Sequence, residues 1–440
     1  MKRFAKIAIL AAFIVFLMGA AEATVAVKHV VLISLDALAA RDLPFIAGLP
    51  NLGRLISQGA TVQSVVSVYP SITYPAHATI VTGVTPDVHG ITANYPLQVG
   101  NSNPAYYFYA RDIKARTIYQ AAADKHIRTA CILWPTTSRA EIDYLIPEIW
   151  PTRPGESQMM LILANASPIT ALVLNARYGH MLDGFDTSRI DDFITASTAY
   201  MLKTKRPGLT MLHLSDLDTV KHAHGVDAPE VQACLAQEDL RIGQILTAID
   251  DAGIAGSTVV IITGDHGQSN TSWVINLNSV FARNGLIALS PDGNVRSWKA
   301  ALNSCGGSAH VYVSDESARD RVAVILDELA ADGEATGIES VRECTKCDGP
   351  AFVLEARPGY YFSDSLTGNL VAPAQCRAYH GYLPEKSDMH TLLVAAGPRI
   401  QAGTSVREAR LIDIAPTIAW ILGLSLPGAL GRILDEIVVR

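Results

Sequence analysis

Six short apolar runs constrain what this chain can fold into more than any other feature. They are HVVLIS (29–34), TVQSVVSV (61–68), TACIL (129–133), LTMLHLS (209–215), STVVIIT (257–263) and TLLVAAG (391–397). β-Branched residues dominate, and most of the runs lack the polar alternation of a half-exposed strand, so they read as strands buried on both faces. Helix-like segments lie between several of them. In 228–253, for example, apolar residues stand three and four apart and a glycine closes the run. Buried strands alternating with helices predict an α/β fold, a mostly parallel sheet flanked by helices on both faces. At 440 residues the chain has room for this core, assigned to 24–271 and 380–440, and for something more. Residues 272–379 have a different texture, with short strand candidates such as HVYVSD, the helix candidate SARDRVAVILDELAAD and most of the cysteines. They predict a small α+β insertion between the last two core strands.

The first residues, MKRFAKIAILAAFIVFLMGAAEA, combine a basic start, an apolar run of about a dozen residues and the small residues Ala21 and Ala23. This is the layout of a signal peptide covering 1–23. An uncleaved anchor would need ~20 apolar residues, more than the run supplies. The mature protein is therefore expected to be exported, periplasmic or secreted, with no transmembrane segment. In an oxidising compartment the six cysteines predict at least one disulfide within 305–376. Cys344 and Cys347, in CTKC, read as a disulfide before half a zinc knuckle, because no second such pair accompanies them. Cys131 and Cys234 read as buried thiols. A net charge of −7 without a Lys/Arg stripe argues against nucleic-acid binding.

The chemistry gathers at the strand ends. Asp36 follows the first run, Asp218 and His222 follow the fourth, Asp265 and His266 follow the fifth, and His380 precedes the sixth. Ligands in open parallel sheets lie beyond the carboxyl ends of the strands. Singly, each of these acids reads as a cap or turn residue. Together, three carboxylates and three imidazoles supply ligands for two divalent metals, and the donor types suit zinc. Thr73 lies between an apolar strand and the helix-like AHATIVTG, with Pro75 in the first turn. A hydroxyl there, beside metals and a helix N-terminus, is placed to act as a nucleophile on a phosphate.

These residues carry a resemblance. The stretch Thr73-Tyr-Pro-Ala-His, the run TGVTPDVHGI, Asn94, Leu35-Asp36, Asp218-x-x-x-His222, Gly264-Asp265-His266-Gly267 and HGYLPEKSDMH (380–390) resemble the nucleotide pyrophosphatase/phosphodiesterase family. That family is a branch of the alkaline phosphatase superfamily. The resemblance spans nearly the whole mature chain in the family's order and implies an alkaline phosphatase-like fold. It implies one zinc on Asp218, His222 and His380, and a second on Asp36, Asp265 and His266, with Thr73 contacting the second. Thr73 would form a covalent phosphothreonine, and Asn94 would hold a phosphate oxygen together with the Thr73 backbone N–H. The substrate would be a small phosphate ester, a nucleotide among the candidates, hydrolysed at a phosphodiester or phosphoanhydride bond, with Tyr74 as an aromatic wall. Tyr74 stands where the family usually has Phe, Ala76 where it has Asn, and Lys221 where glycine is common.

Two other readings compete. A phosphomonoesterase on the same two-metal site would need added cations over the phosphate, and Lys221 and Arg139 are the candidates. A non-catalytic zinc-containing binding protein would favour closed, Cys-rich sites, which these are not. Against a sulfatase stand Thr73, where its pattern needs Cys or Ser, and His77 at the arginine position. His77, His89, His224 and His390 read as hydrogen-bonding supports for the ligands.

Overall fold

A computed structural model describes residues 26–344 and 349–440 of the protein. The expected signal segment and Cys347 lie outside the described residues. Eight strands form the central sheet: β1 (His29–Leu35), β2 (Ala60–Val66), β3 (Thr129–Ile132), β4 (Tyr144–Ile146), β5 (Leu209–Leu214), β6 (Thr258–Thr263), β7 (Thr391–Ala396) and β8 (Thr404–Arg410). Their order is β8-β2-β7-β6-β1-β5-β3-β4. All neighbours are parallel except β7, which runs antiparallel to both β2 and β6. Each of the six runs became a strand of this sheet. The two that sequence missed, β4 and β8, are short or have a polar outer face.

Alternation within the buried strands builds two cores. Val30 and Leu32 of β1 join Met211, Val259, Ile261 and Leu393 on one face, while Val31 and Ile33 join Leu212, Ile262 and Val394 on the other. Helices cover both faces: α1 (Pro50–Gln58), α2 (Thr73–Thr82), α3 (Gln158–Asn165), α4 (Pro168–Tyr178), α5 (Thr187–Lys205), α6 (Asp216–His224), α7 (Pro229–Asp251) and α8 (Ile414–Ile421). At ~25 cal/mol per Å² of apolar surface, burial on two faces is the main stabilising term of such a sheet.

Between β6 and β7 the chain leaves the sheet. Strands 269–275, 359–362, 371–373 and 378–379 form one small sheet, and strands 300–304, 308–313, 338–343 and 352–356 form another, backed by helix 319–331. The excursion thus begins at Ser269, a few residues ahead of the expected start. β8 follows β7, so the excursion does not sit between the last two core strands. No helix among the described residues is long and apolar enough to cross a membrane.

Among the described residues no two cysteines of 305–376 pair: Cys305 is buried, and Cys344 and Cys376 are partly exposed. The expected Cys344–Cys347 pair reaches outside the described residues. Cys305 sits on a loop that packs against Gly381, with its sulfur 4.0 Å from His310 Nδ1 and no second sulfur beside it. Cys131 and Cys234 are buried thiols, as read from their apolar settings.

Candidate functional site

The strand ends deliver the predicted residues to one place. Asp36 follows β1 directly, and Asp265-His266 follow β6, which lies beside β1 in parallel register, Val30 against Val259. β5 pairs on the other side of β1 and leads into α6, so Asp218 and His222 stand one turn apart on one face of a helix. β7 is antiparallel, so its amino end lies at the same edge and brings the preceding His380 there. Close packing needs glycine at two points. A Cβ on Gly264 would lie 2.2 Å from the Leu38 carbonyl oxygen, and one on Gly381, at φ +90°, would lie 1.7 Å from that of Cys305.

Two groups of potential metal ligands result: Asp36, Asp265 and His266, and Asp218, His266 and His380. His266 stands in both, its ring stacked 4.0 Å from that of His380. Its Nε2 lies 3.4 Å from Asp36 Oδ1, 3.3 Å from Asp265 Oδ2 and 3.3 Å from Thr73 Oγ1. Ligands at ~2.0–2.1 Å around a tetrahedral ion stand about 3.3 Å apart, so these edges match a zinc-sized centre. Asp36 Oδ1 and Asp265 Oδ2 are buried without a hydrogen-bond partner, as ligand atoms awaiting a cation would be. His222 completes the second group from the side: its Nε2 is 3.3 Å from Asp218 Oδ2, and its Nδ1 donates to the Ala378 carbonyl at 2.7 Å. That bond fixes the tautomer with Nε2 facing the site.

The electrostatics agree with the donor set. Burial, and then Asp218, pushes the Asp36 carboxyl up to about 6. Burial, and then Asp36, raises Asp265 well above the ordinary range. Burial holds His380 down to about 4, and His266 well below its usual value. Asp218 and His222 go the other way: against burial, His222 holds the Asp218 carboxyl below its ordinary range and Asp218 raises His222. Around Asp36, Asp265, His266 and His380 the environment is short of positive charge, which a divalent cation would supply.

Thr73 is the first residue of α2, with Ile72 as the N-cap, so its side chain is not occupied in capping. The Tyr74 backbone N–H donates to Asn94 Oδ1 at 3.0 Å, which anchors Asn94 at the same helix end. Tyr74 lines the cavity around Thr73. Its ring is buried edge-on against Tyr106, and its hydroxyl donates to Glu148 Oε1 at 2.7 Å. Lys221 and Arg139 are not at the phosphate position. The Lys221 amine is buried and donates to Asp42 Oδ2 at 2.7 Å and to the Ala37 carbonyl at 2.8 Å; the Arg139 guanidinium donates to Asn165 Oδ1 at 3.0 Å. His77 accepts a supporting role, 2.8 Å from the Thr73 carbonyl, and His89 and His390 contact Thr79 and Ser64.

Two residues were not anticipated. His213, inside β5, places Nε2 3.0 Å from Asp36 Oδ2 and Nδ1 3.0 Å from Glu148 Oε2. Burial opposes its charge, yet the bonds to Asp36 and Glu148 raise its pKa well above the usual value. A histidine in an apolar strand offers no signal on its own; only the outcome that β5 borders β1 identifies it.

The model of type I phosphodiesterases/nucleotide pyrophosphatases matches residues 30–383. The chain belongs to this family. Among curated relatives, a pyrophosphatase/phosphodiesterase of Schizosaccharomyces pombe is 26% identical over 270 residues, 58% of this chain and 48% of its own. Ectonucleotide pyrophosphatase/phosphodiesterase family member 1 of Rattus norvegicus is 26% identical over 253 residues, 55% of this chain and 24% of its own. The chain thus spans half or less of the length of these two relatives. Bis(5′-adenosyl)-triphosphatase of Xenopus laevis is 21% identical over 86% of this chain and 74% of its own. Among solved structures, an inactive variant of murine ectonucleotide pyrophosphatase/phosphodiesterase 5 in complex with AMP superposes with a TM-score of 0.68 at 18% identity. It covers 94% of this chain and 100% of its own. This phosphodiesterase family member therefore shares the fold of that protein.

Proposed function

We propose that the protein is an exported phosphodiesterase of small phosphate esters that uses two zinc ions and a covalent phosphothreonine on Thr73. The observation that carries this reading is the Thr73 hydroxyl at a helix N-terminus, 3.3 Å from His266 Nε2 and beside buried carboxylates that lack partners. Asp36, Asp265 and His266 would hold one ion, and Asp218, His222 and His380 the other. Bound there, the ions would lower the pKa of the hydroxyl and neutralise charge on the phosphate. Thr73 Oγ1 loses its proton and bonds to phosphorus while the bond to the leaving oxygen breaks; solvent reprotonates the leaving alcohol. Water then attacks phosphorus, which frees the Thr73 hydroxyl and a monoester. The Thr73 N–H and the Asn94 side chain orient a non-bridging oxygen.

Preference for a diester rests on charge. Among the described residues no lysine or arginine lines the cavity around Thr73, and the two cations that would favour a dianionic monoester are occupied elsewhere. The test compares kcat/KM for nitrophenyl diesters with nitrophenyl phosphate on zinc-loaded enzyme and its Thr73→Ala variant. A diester preference and a loss of more than ~10² in rate, about 3 kcal/mol, are expected, with partial activity in Thr73→Ser. A tenfold monoester preference, or near-normal turnover by Thr73→Ala, would refute the corresponding part.

A further inference from the structure

The helix that carries Asp218 and His222 has little of its own to fix where it lies. α6 is nine residues long, and only Asp216, Leu217 and Lys221 of it are buried. One fully buried apolar side chain is too little to seat a helix by packing, and a helix this short is marginal alone. Its amino end also lacks the usual local cap: Ser215 stands at the N-cap, but its hydroxyl makes no capping bond.

Polar tethers from elsewhere in the chain take the place of both. Asp191, on α5, accepts from the Ser215 N–H at 3.0 Å to each carboxylate oxygen and from the Asp216 N–H at 2.8 Å. In the middle of α6, Lys221 bonds to Asp42 and to the Ala37 carbonyl. At its other end the His222 carbonyl accepts from the Arg377 N–H at 2.7 Å.

Asp191 is wholly buried, a costly place for a carboxylate. Arg241 of α7 offsets that cost. Its guanidinium lies 3.9 Å from Asp191 and donates to Asp216 at 3.3 Å, to Glu238 at 2.6 Å and to Asp192 at 2.9 Å. It also donates to the Ser188 carbonyl on α5, and the Thr187 hydroxyl donates to Asp216 Oδ1 at 3.0 Å. Asp216, Cys234 and Glu238 lie close enough to face a cation together, but the guanidinium already supplies positive charge there. A local cap stabilises a helix wherever it lies. A buried carboxylate from another helix also fixes its place.

We infer that Asp191 is a positioning residue for the metal centre: through the Ser215 and Asp216 N–H groups it sets the place of α6, and so holds Asp218 and His222 beside His380. The inference rests on the two-zinc reading and adds to it a residue that touches neither metal nor substrate.

The test lets a chromophoric chelator compete for zinc with the zinc-loaded mature protein. Wild type should release two equivalents. Asp191→Asn keeps the side-chain shape but turns an amide toward one of the N–H groups. It should weaken one equivalent at least about tenfold and leave the other within about twofold. In a His222→Ala background, which has lost a ligand of the affected centre, Asp191→Asn should change the remaining equivalent by less than about twofold, and this non-additivity assigns the effect. Leu235→Ala, a cavity in α7, controls for plain loss of stability; it should lower the urea midpoint without separating the two equivalents. Thr187→Val should weaken the same equivalent by a smaller factor, and decides the matter if Asp191→Asn does not fold. Equal weakening of both equivalents, no weakening of either, or the same pattern in Leu235→Ala would overturn the inference. Fewer than two equivalents in wild type would end the two-zinc reading and the inference with it, whereas two equivalents that both variants leave unchanged would end the inference alone.

Discussion

At the scale of single residues, the proposed metal ligands stood out in the sequence and the groups behind them did not. Asp36, Asp265 and His266 follow apolar strands, where acids and imidazoles have no packing role, so their chemistry showed through. His213 hid because one polar residue in LTMLHLS does not disturb a strand pattern, and Glu148 because its strand, β4, is only three residues long. The structure joins them in a chain from Asp36 through His213 and Glu148 to the Tyr74 hydroxyl, on the residue that follows Thr73. Supporting groups of this kind are worth 10–100-fold in metal affinity or activity. Glu148→Gln keeps the shape but weakens the hold on His213, and should lower zinc affinity about tenfold in competition with a chromophoric chelator. Asp265→Ala should lose at least one equivalent of zinc by elemental analysis. Unchanged affinity in Glu148→Gln, or full metal content in Asp265→Ala, would remove these residues from the metal site.

At the scale of elements, α6 shows why context outweighs local pattern. DLDTVKHAH is too short and too polar to announce a helix, yet as a helix it sets Asp218 and His222 on one face, His222 Nε2 3.3 Å from Asp218 Oδ2. The same geometry sends Lys221 the other way, into a buried pair with Asp42. Sequence position alone put this cation near the phosphate, because direction is set by helical phase, which position does not reveal. Removing one partner of a buried pair leaves an uncompensated charge and costs about 3–5 kcal/mol. Lys221→Met should therefore destabilise the fold by about that amount in denaturant titrations, while the ratio of diester to monoester kcat/KM stays within about twofold. A reversed substrate preference in a stable Lys221→Met protein would return the lysine to the phosphate.

At the scale of the whole molecule, the sheet was legible because its strands are buried on both faces. The excursion between β6 and β7 was legible only as a change of texture, since its strands are short and range from wholly buried, as 352–356, to largely exposed, as 338–343. What that texture did not reveal is that the excursion holds His380 in place. The Gly307 N–H donates to the His380 carbonyl at 2.8 Å, and Glu355, on strand 352–356, accepts from the Leu383 N–H at 2.9 Å and pairs with Lys386 at 3.1 Å. Burial raises the Glu355 carboxyl from its ordinary 4.5 to about 7, against the opposing pull of the Leu383 N–H and Lys386. The folded chain then binds this proton more tightly than the unfolded chain does. The group favours folding at low pH, and that contribution is lost as pH rises through the window from 4.5 to about 7, flat above it. Glu355→Gln keeps an acceptor for the Leu383 N–H and removes the titration. The unfolding free energy of the variant minus that of the wild type should therefore rise between pH 4.5 and 7.5 by up to ~3 kcal/mol. Taking the difference cancels the pH dependence of metal binding, which both proteins share. Urea unfolding at several pH values across this window measures it, and a difference that stays constant, or falls, would show that Glu355 enters the folded state already ionised.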